Sequence, residues 1–450
     1  MNDVLPALLA LAAAAAPPTW RYEVTWRPEG LAVVARLPAG SGRGLTVGAP
    51  GFVRQVSVDG APTALADADC RRGCVVRLRF DLAASTDEAR GFVGPARGGI
   101  QVTRPGDWLP VPARAPRDGT FALTVHTPAK VTFAAGLEQT PEGWRGPASL
   151  LADGPPAAFG PLDLAPLPVP GARRVTLALP RIPLAVPRSV VEAWVTREAT
   201  RVARYFGGLP VPDLLVLALP VDRDDIPFGS AHGLGGATLQ VYVGKDAPAE
   251  AFRDDWKLRH ELVHLGLPNL PPRHRWMEEG LATYLEALLG ADDEAALWGE
   301  LAEGVAQGLP RGEGLDGTRR WGETYWGGAL YWLMADVELR VASHGAKSLQ
   351  DALQTLRAAG GNMTVRWPLA RTLAAADAGT GQHVLNELHR AFGERGAPVD
   401  LEGLLKRLGV ATSRGPAKLS AAAPWAPYRP RPPALSGDGG GATRSPARSR

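Results

Sequence analysis

His260-Glu261-Leu262-Val263-His264, followed by Trp276-Met277-Glu278-Glu279-Gly280-Leu281-Ala282, is the stretch from which the rest of this 450-residue chain is read. On a helix, side chains four apart share a face, so both imidazoles reach one metal ion. Glu261 sits beside the first ligand, placed to take a proton from an activated water without ligating the metal itself. Two imidazoles leave a tetrahedral zinc short of a third protein ligand. Six residues past His264 the chain has Leu270, not histidine. The third ligand is therefore expected from a following helix, where Glu278 and Glu279 stand side by side. Glu286 lies seven residues, or two turns, beyond Glu279 and is read as either a hydrogen-bond partner of a ligand histidine or an ordinary surface carboxylate.

Outward from this segment the patterning changes. From Trp20 to about Gly160, short alternating runs such as Tyr22–Trp26, Val75–Phe80 and Phe121–Val125 are separated by Gly and Pro clusters. They predict a β-sandwich-like N-terminal domain over 19–170. The proline-rich passage 161–170 reads as a hinge. Ser189 is predicted to cap a helix running to about Tyr205, stopped by Gly207-Gly208. A buried strand is expected at Leu214–Leu219 and a half-exposed one at Thr238–Val243, the latter offering an edge to an extended peptide. Helices follow over the HExxH segment, 277–289 and 325–341, and helical stretches continue to about Leu408. After Thr412 periodicity is lost, and 413–450 reads as a disordered basic tail.

HELVH followed by W-M-E-E-G-L-A resembles the gluzincin pattern of the aminopeptidase N family and, more closely, of the glycyl aminopeptidase family. The resemblance continues in Thr324-Tyr325-Trp326-Gly327-Gly328-Ala329-Leu330 and implies that Tyr325 donates to the oxyanion. It selects Glu279 as third ligand through the Glu-Gly alignment, leaving Glu278 as the competitor. The implied fold class is α+β multidomain. A thermolysin-like zinc peptidase domain (171–290) would follow the β-sandwich-like domain and precede an α-helical C-terminal domain (291–412). The implied cofactor is one zinc per chain, and the implied partner is a peptide or protein substrate. Three departures stand out. Fourteen residues separate His264 from Glu279 where about eighteen are usual, and Gly327 replaces a lysine. The segment that would hold a substrate amine is Gly229-Ser230-Ala231-His232-Gly233, which lacks the family's carboxylate. Gly229, His232 and Gly233 are thus candidate substrate contacts, with no recognition of a free amine implied and endo or exo action left open. Asp224 and Asp225 lie just upstream.

Composition bounds the rest. Hydrophobic residues make up 45% and charged residues 21%, a globular balance. The net charge of +3 is uneven, because 413–450 holds seven basic residues against Asp438 alone and leaves the remainder at −3. The basic excess belongs to a tail and gives no nucleic-acid-binding face. An apolar run, Val4–Ala16, is too short to span a bilayer and reads as a signal segment over 1–18, implying export. Cys70 and Cys74, the two cysteines, fit a disulfide in that setting, with two free thiols as the alternative. His274, in a Pro/Arg loop, reads as a surface or substrate-side residue, while His126, His344, His383 and His389 show no metal spacing. The expected activity is peptide-bond hydrolysis by a zinc-activated water with Glu261 as general base. The competing readings are an inactive zinc-binding protein of the same fold and a zinc hydrolase of a non-peptide substrate.

Overall fold

A computed structural model describes residues 19–88, 97–114, 119–309, 312–412 and 415–433. The expected signal segment, 1–18, and the last residues, 434–450, lie outside the described residues. The N-terminal domain packs an eight-stranded sheet against a three-stranded one. In the larger sheet, Thr19–Arg27 pairs antiparallel with Gly30–Ala39 and parallel with Thr120–His126. Alternating inward residues such as Trp20, Tyr22 and Val24 meet Phe121, Phe133 and Phe159 in one core. Cys70 and Cys74 are joined as a disulfide at the start of the strand Arg72–Phe80.

The second sheet runs Leu162–Leu167, Arg174–Pro180, Asp213–Val221, Ala237–Gly244, Phe228–Gly233. Its three inner strands are parallel and both outer pairs antiparallel. Asp213–Val221 is buried at every position, as a near-continuous apolar run covered on both faces must be. One face carries the helices Arg188–Tyr205 and Lys257–His264; the other meets the N-terminal domain through Leu215, Leu217 and Leu219.

Three expectations are corrected here. The passage 161–170 is not a hinge, because Leu162–Leu167 forms an outer strand of the second sheet. Prolines that read as a linker are tolerated there because an outer strand need not donate every N–H. The strand at 238–243 is not an edge but lies between two neighbours, and the free edge is Phe228–Gly233. The chain after 413 is not wholly a tail. Lys418–Leu419 pairs with Val410–Ala411, and Arg407 lies over the Trp425 ring. The nearly buried Arg429 binds Glu294 and the carbonyls of Leu408 and Ser420.

The helices Arg275–Gly290 and Gly328–Ala342 share one core with the second sheet, so no break in packing falls at 290. They touch through glycines: a Cβ on Gly280 would lie 2.3 Å from the carbonyl carbon of Gly328. Alanine normally stabilises a helix interior by about 1 kcal/mol over glycine. Here the backbone collision reverses the sign. Gly280→Ala is expected to lose about 1–3 kcal/mol in urea unfolding, and a variant as stable as the parent would contradict the close crossing.

Candidate metal centre and cleft

The helix Lys257–His264 begins where the Asp255 carboxylate accepts from the backbone N–H of Lys257 and Leu258 at 3.2 and 2.9 Å. One turn later Arg259 is wholly buried and donates to Glu198, also wholly buried, at 2.7 Å. Its guanidinium also reaches the Glu286 carbonyl at 3.1 Å, tying this helix to Arg275–Gly290. The result brings His260, His264 and Glu279 together.

The Nε2 atoms of His260 and His264 lie 3.3 and 3.6 Å from Glu279 Oε2. Zinc bonds of about 2.1 Å at tetrahedral angles place ligand atoms about 3.4 Å apart. Glu286 is buried, not on the surface, and its Oε2 accepts from His260 Nδ1 at 2.7 Å. That bond leaves the Nε2 lone pair facing a carboxylate oxygen. Two acceptors turned toward each other call for a cation between them, so the residues fit a zinc-sized ion. A proton can serve as that cation: burial opposes charge on His260, yet the bonds to Glu279 and Glu286 overcome it and hold the imidazole up at about 10. Burial would raise the Glu279 carboxyl, but the two histidines hold it well below the usual carboxylate range. Glu278 turns away: its Oε1 accepts from Leu270 N at 2.8 Å.

A second cluster combines His274, Asp316 and His389. Here the imidazoles donate to the Asp316 carboxylate at 2.7 and 3.1 Å, and Trp276 Nε1 adds a bond at 2.9 Å. Arg273 Nε donates to the other nitrogen of His274 at 2.9 Å. These are hydrogen-bond lengths, shorter than a tetrahedral metal allows, and every member is partnered. The cluster anchors the start of the helix Arg275–Gly290. His274 is buried and belongs to this network, correcting its reading as a surface or substrate-side residue.

Glu261 borders a cavity of about 290 Å³ together with Ala231, Arg275, Tyr325 and the three ligand candidates. Tyr325 lies in a π-helical turn, Glu323–Gly327, that leads into Gly328–Ala342. Its ring is roughly parallel to that of His260 at 6.2 Å and to that of Trp321 at 5.1 Å. Burial, reinforced by the charge of Glu279, pushes its phenol up. A Cβ on Gly229 would lie 2.7 Å from Glu261 Cγ, so glycine there leaves room for that side chain. His232 and Gly233 do not line the cavity. His232 bonds Gln240 and Ser230, and Gly233 lies against Met363. Asp225 pairs with Arg223, and neither Asp224 nor Asp225 borders the cavity. Sequence reasoning missed Arg275, whose Nε donates to Glu279 Oε1 at 3.1 Å. Its spacing of four from Glu279 was the available signal.

The fold of this chain is that of the M1 zinc metallopeptidases. An aminopeptidase N family protein from Idiomarina loihiensis superposes with a TM-score of 0.59 at 14% identity, covering 90% of this chain and 82% of that one. An M1 zinc metallopeptidase from Deinococcus radiodurans, bound to the substrate Tyr-Ser-Ala, gives 0.51 at 18%, covering 85% and 94%. Native yeast LTA4 hydrolase gives 0.51 at 14%, covering 87% and 70%. No protein-family model matches the chain, and no curated protein matches it by sequence.

Zinc retention separates the roles assigned above. Glu279→Ala is expected to lose the ion and Glu278→Ala to keep it. Glu286→Gln should weaken binding about 10–100-fold in competition with a chelating dye. Full zinc occupancy in Glu279→Ala would remove it from the ligand set.

Proposed function

We propose that this chain is an exported zinc-dependent peptidase. The observation that carries the reading is the convergence of His260, His264, Glu279, the Glu261 carboxylate and the Tyr325 phenol on one cleft beside a strand that, among the described residues, is an edge of its sheet. A zinc-binding role alone would require neither Glu261 nor Tyr325 at that wall. The fold it shares with M1 zinc metallopeptidases supports the same reading. The apolar run Val4–Ala16 and the Cys70–Cys74 disulfide support export. Among the described residues no helix is long and apolar enough to cross a membrane.

His260, His264 and Glu279 would hold the zinc, which when bound supplies a Lewis acid for water and carbonyl oxygen. The backbone of Phe228–Gly233 has one side unpaired in the sheet and would align an extended peptide by strand addition. Glu261 accepts the proton of the attacking water on its carboxylate and returns it to the nitrogen of the departing amine. The room left by Gly229 lets that carboxylate reach both positions. Tyr325 keeps its proton, since its phenol is pushed up, and donates to the carbonyl oxygen as negative charge builds there. Glu286 holds the His260 ring in place throughout.

Digestion of a peptide library by the zinc-loaded protein tests this assignment. Glu261→Gln should abolish cleavage with zinc retained, and Tyr325→Phe should reduce kcat by ~10²–10³. Unchanged biological activity in Glu261→Gln would favour a binding protein over an enzyme.

A further inference from the structure

The charges lining the cleft are not equally available to a substrate. Glu261 is assigned to proton transfer, Glu279 faces both imidazoles, and Glu278 is turned onto the backbone of Leu270. Arg275 is the lysine or arginine among the lining residues. Its Nε and Nη2 both approach a single oxygen, Glu279 Oε1, at 3.1 Å, on the side away from the histidines. It also lies close enough to Tyr325 for its charge to act on the phenol. Yet 66% of the side chain remains exposed. A guanidinium carries five N–H donors in a planar fork, so donors beyond those directed to Glu279 and Tyr325 remain on a side chain that borders the cleft. Pairing with Glu279 alone would not require that exposure. The edge strand, for its part, supplies no carboxylate to an incoming ammonium group, since Gly229, Ser230 and Ala231 are its residues at the wall beside Phe228. Arg275 is therefore the positively charged side chain of the wall with which a substrate carboxylate can pair.

We propose that Arg275 is a receptor for a substrate carboxylate, and that the peptides best suited to this cleft carry one beside the scissile bond. The carboxylate comes either from an Asp or Glu side chain or from a free C-terminus. A planar carboxylate takes two parallel N–H bonds from a guanidinium, a pairing that lysine or a neutral amide cannot reproduce. Glu279 then shares the cation with the substrate, one oxygen facing the imidazoles and the other facing Arg275. The inference rests on the peptidase reading for the identity of the ligand.

Calorimetry on zinc-loaded Glu261→Gln protein measures binding without turnover. Peptides with amidated C-termini that differ only as Glu against Gln beside the scissile position test the side-chain source. Neutral peptides ending in acid or amide test the terminal source. One carboxylate member is expected to bind at least about tenfold more tightly than its neutral partner, as for a charge-assisted hydrogen-bonded pair. Adding Arg275→Gln should erase the difference while metal analysis still shows bound zinc. Should that variant lose its zinc, Arg275→Lys takes its place, and the preference should fall several-fold. Equal binding of both members in both series would overturn the proposal, as would a preference unchanged by the substitution. A zinc-loaded parent that cuts no peptide would instead remove the peptidase reading, and the binding comparison would still decide the role of Arg275.

Discussion

The bond between His260 Nδ1 and the buried Glu286 carboxylate is the constraint on which the rest of the site depends. A carboxylate without exposure cannot remain charged unless it is paired, and a buried imidazole cannot choose a tautomer unless one nitrogen is fixed. Each solves the problem of the other. Once Nδ1 donates to Glu286, Nε2 must face the cleft and Glu279. The distances of 3.3 and 3.6 Å to Glu279 then match the separation of donor atoms around a tetrahedral zinc.

Keeping Glu286 and His260 in register requires that two helices be held with little play. The Arg259–Glu198 pair does this from beneath, and losing one partner of such a pair typically costs about 3–5 kcal/mol. The glycine crossing at Gly280 and Gly328 does it from the side, bringing the turn that bears Tyr325 against the ligand helix. Asp316 fixes the first turn by accepting from Trp276, His274 and His389. Positioning, rather than any one contact, is what these buried polar groups contribute to function.

Much of this was legible in the sequence wherever periodicity was strong. The helix expected to run to Tyr205 is Arg188–Tyr205, with Pro187 rather than Ser189 at its N-cap, and the strand expected at Leu214–Leu219 is Asp213–Val221. The shared face of His260 and His264 follows from helical geometry, whereas the sequence leaves Glu286 open between a histidine's partner and a surface carboxylate, and only the family resemblance selects Glu279 over Glu278. What failed to show was the edge strand Phe228–Gly233, whose two glycines and small residues carry no alternation. It pairs because its neighbour demands a partner, not because its own side chains favour a strand. The outer strand at 162–167 was hidden by prolines in the same way. The His274–Asp316–His389 network joins residues separated by 42 and 73 positions, and no spacing rule reaches across such gaps. The packing of Arg429 after the apparent end of periodicity belongs to the same class, since a single buried cation leaves no pattern.

The central claim is that one metal binds, and that it binds at the first cluster and not at the second. Anomalous diffraction collected on either side of the zinc absorption edge, from crystals of protein purified without added chelator, tests it directly. The account predicts one zinc peak bounded by His260 Nε2, His264 Nε2 and a Glu279 oxygen, with none at His274, Asp316 and His389. A peak at the second cluster, or a first cluster bridged through Glu278 instead of Glu279, would contradict it.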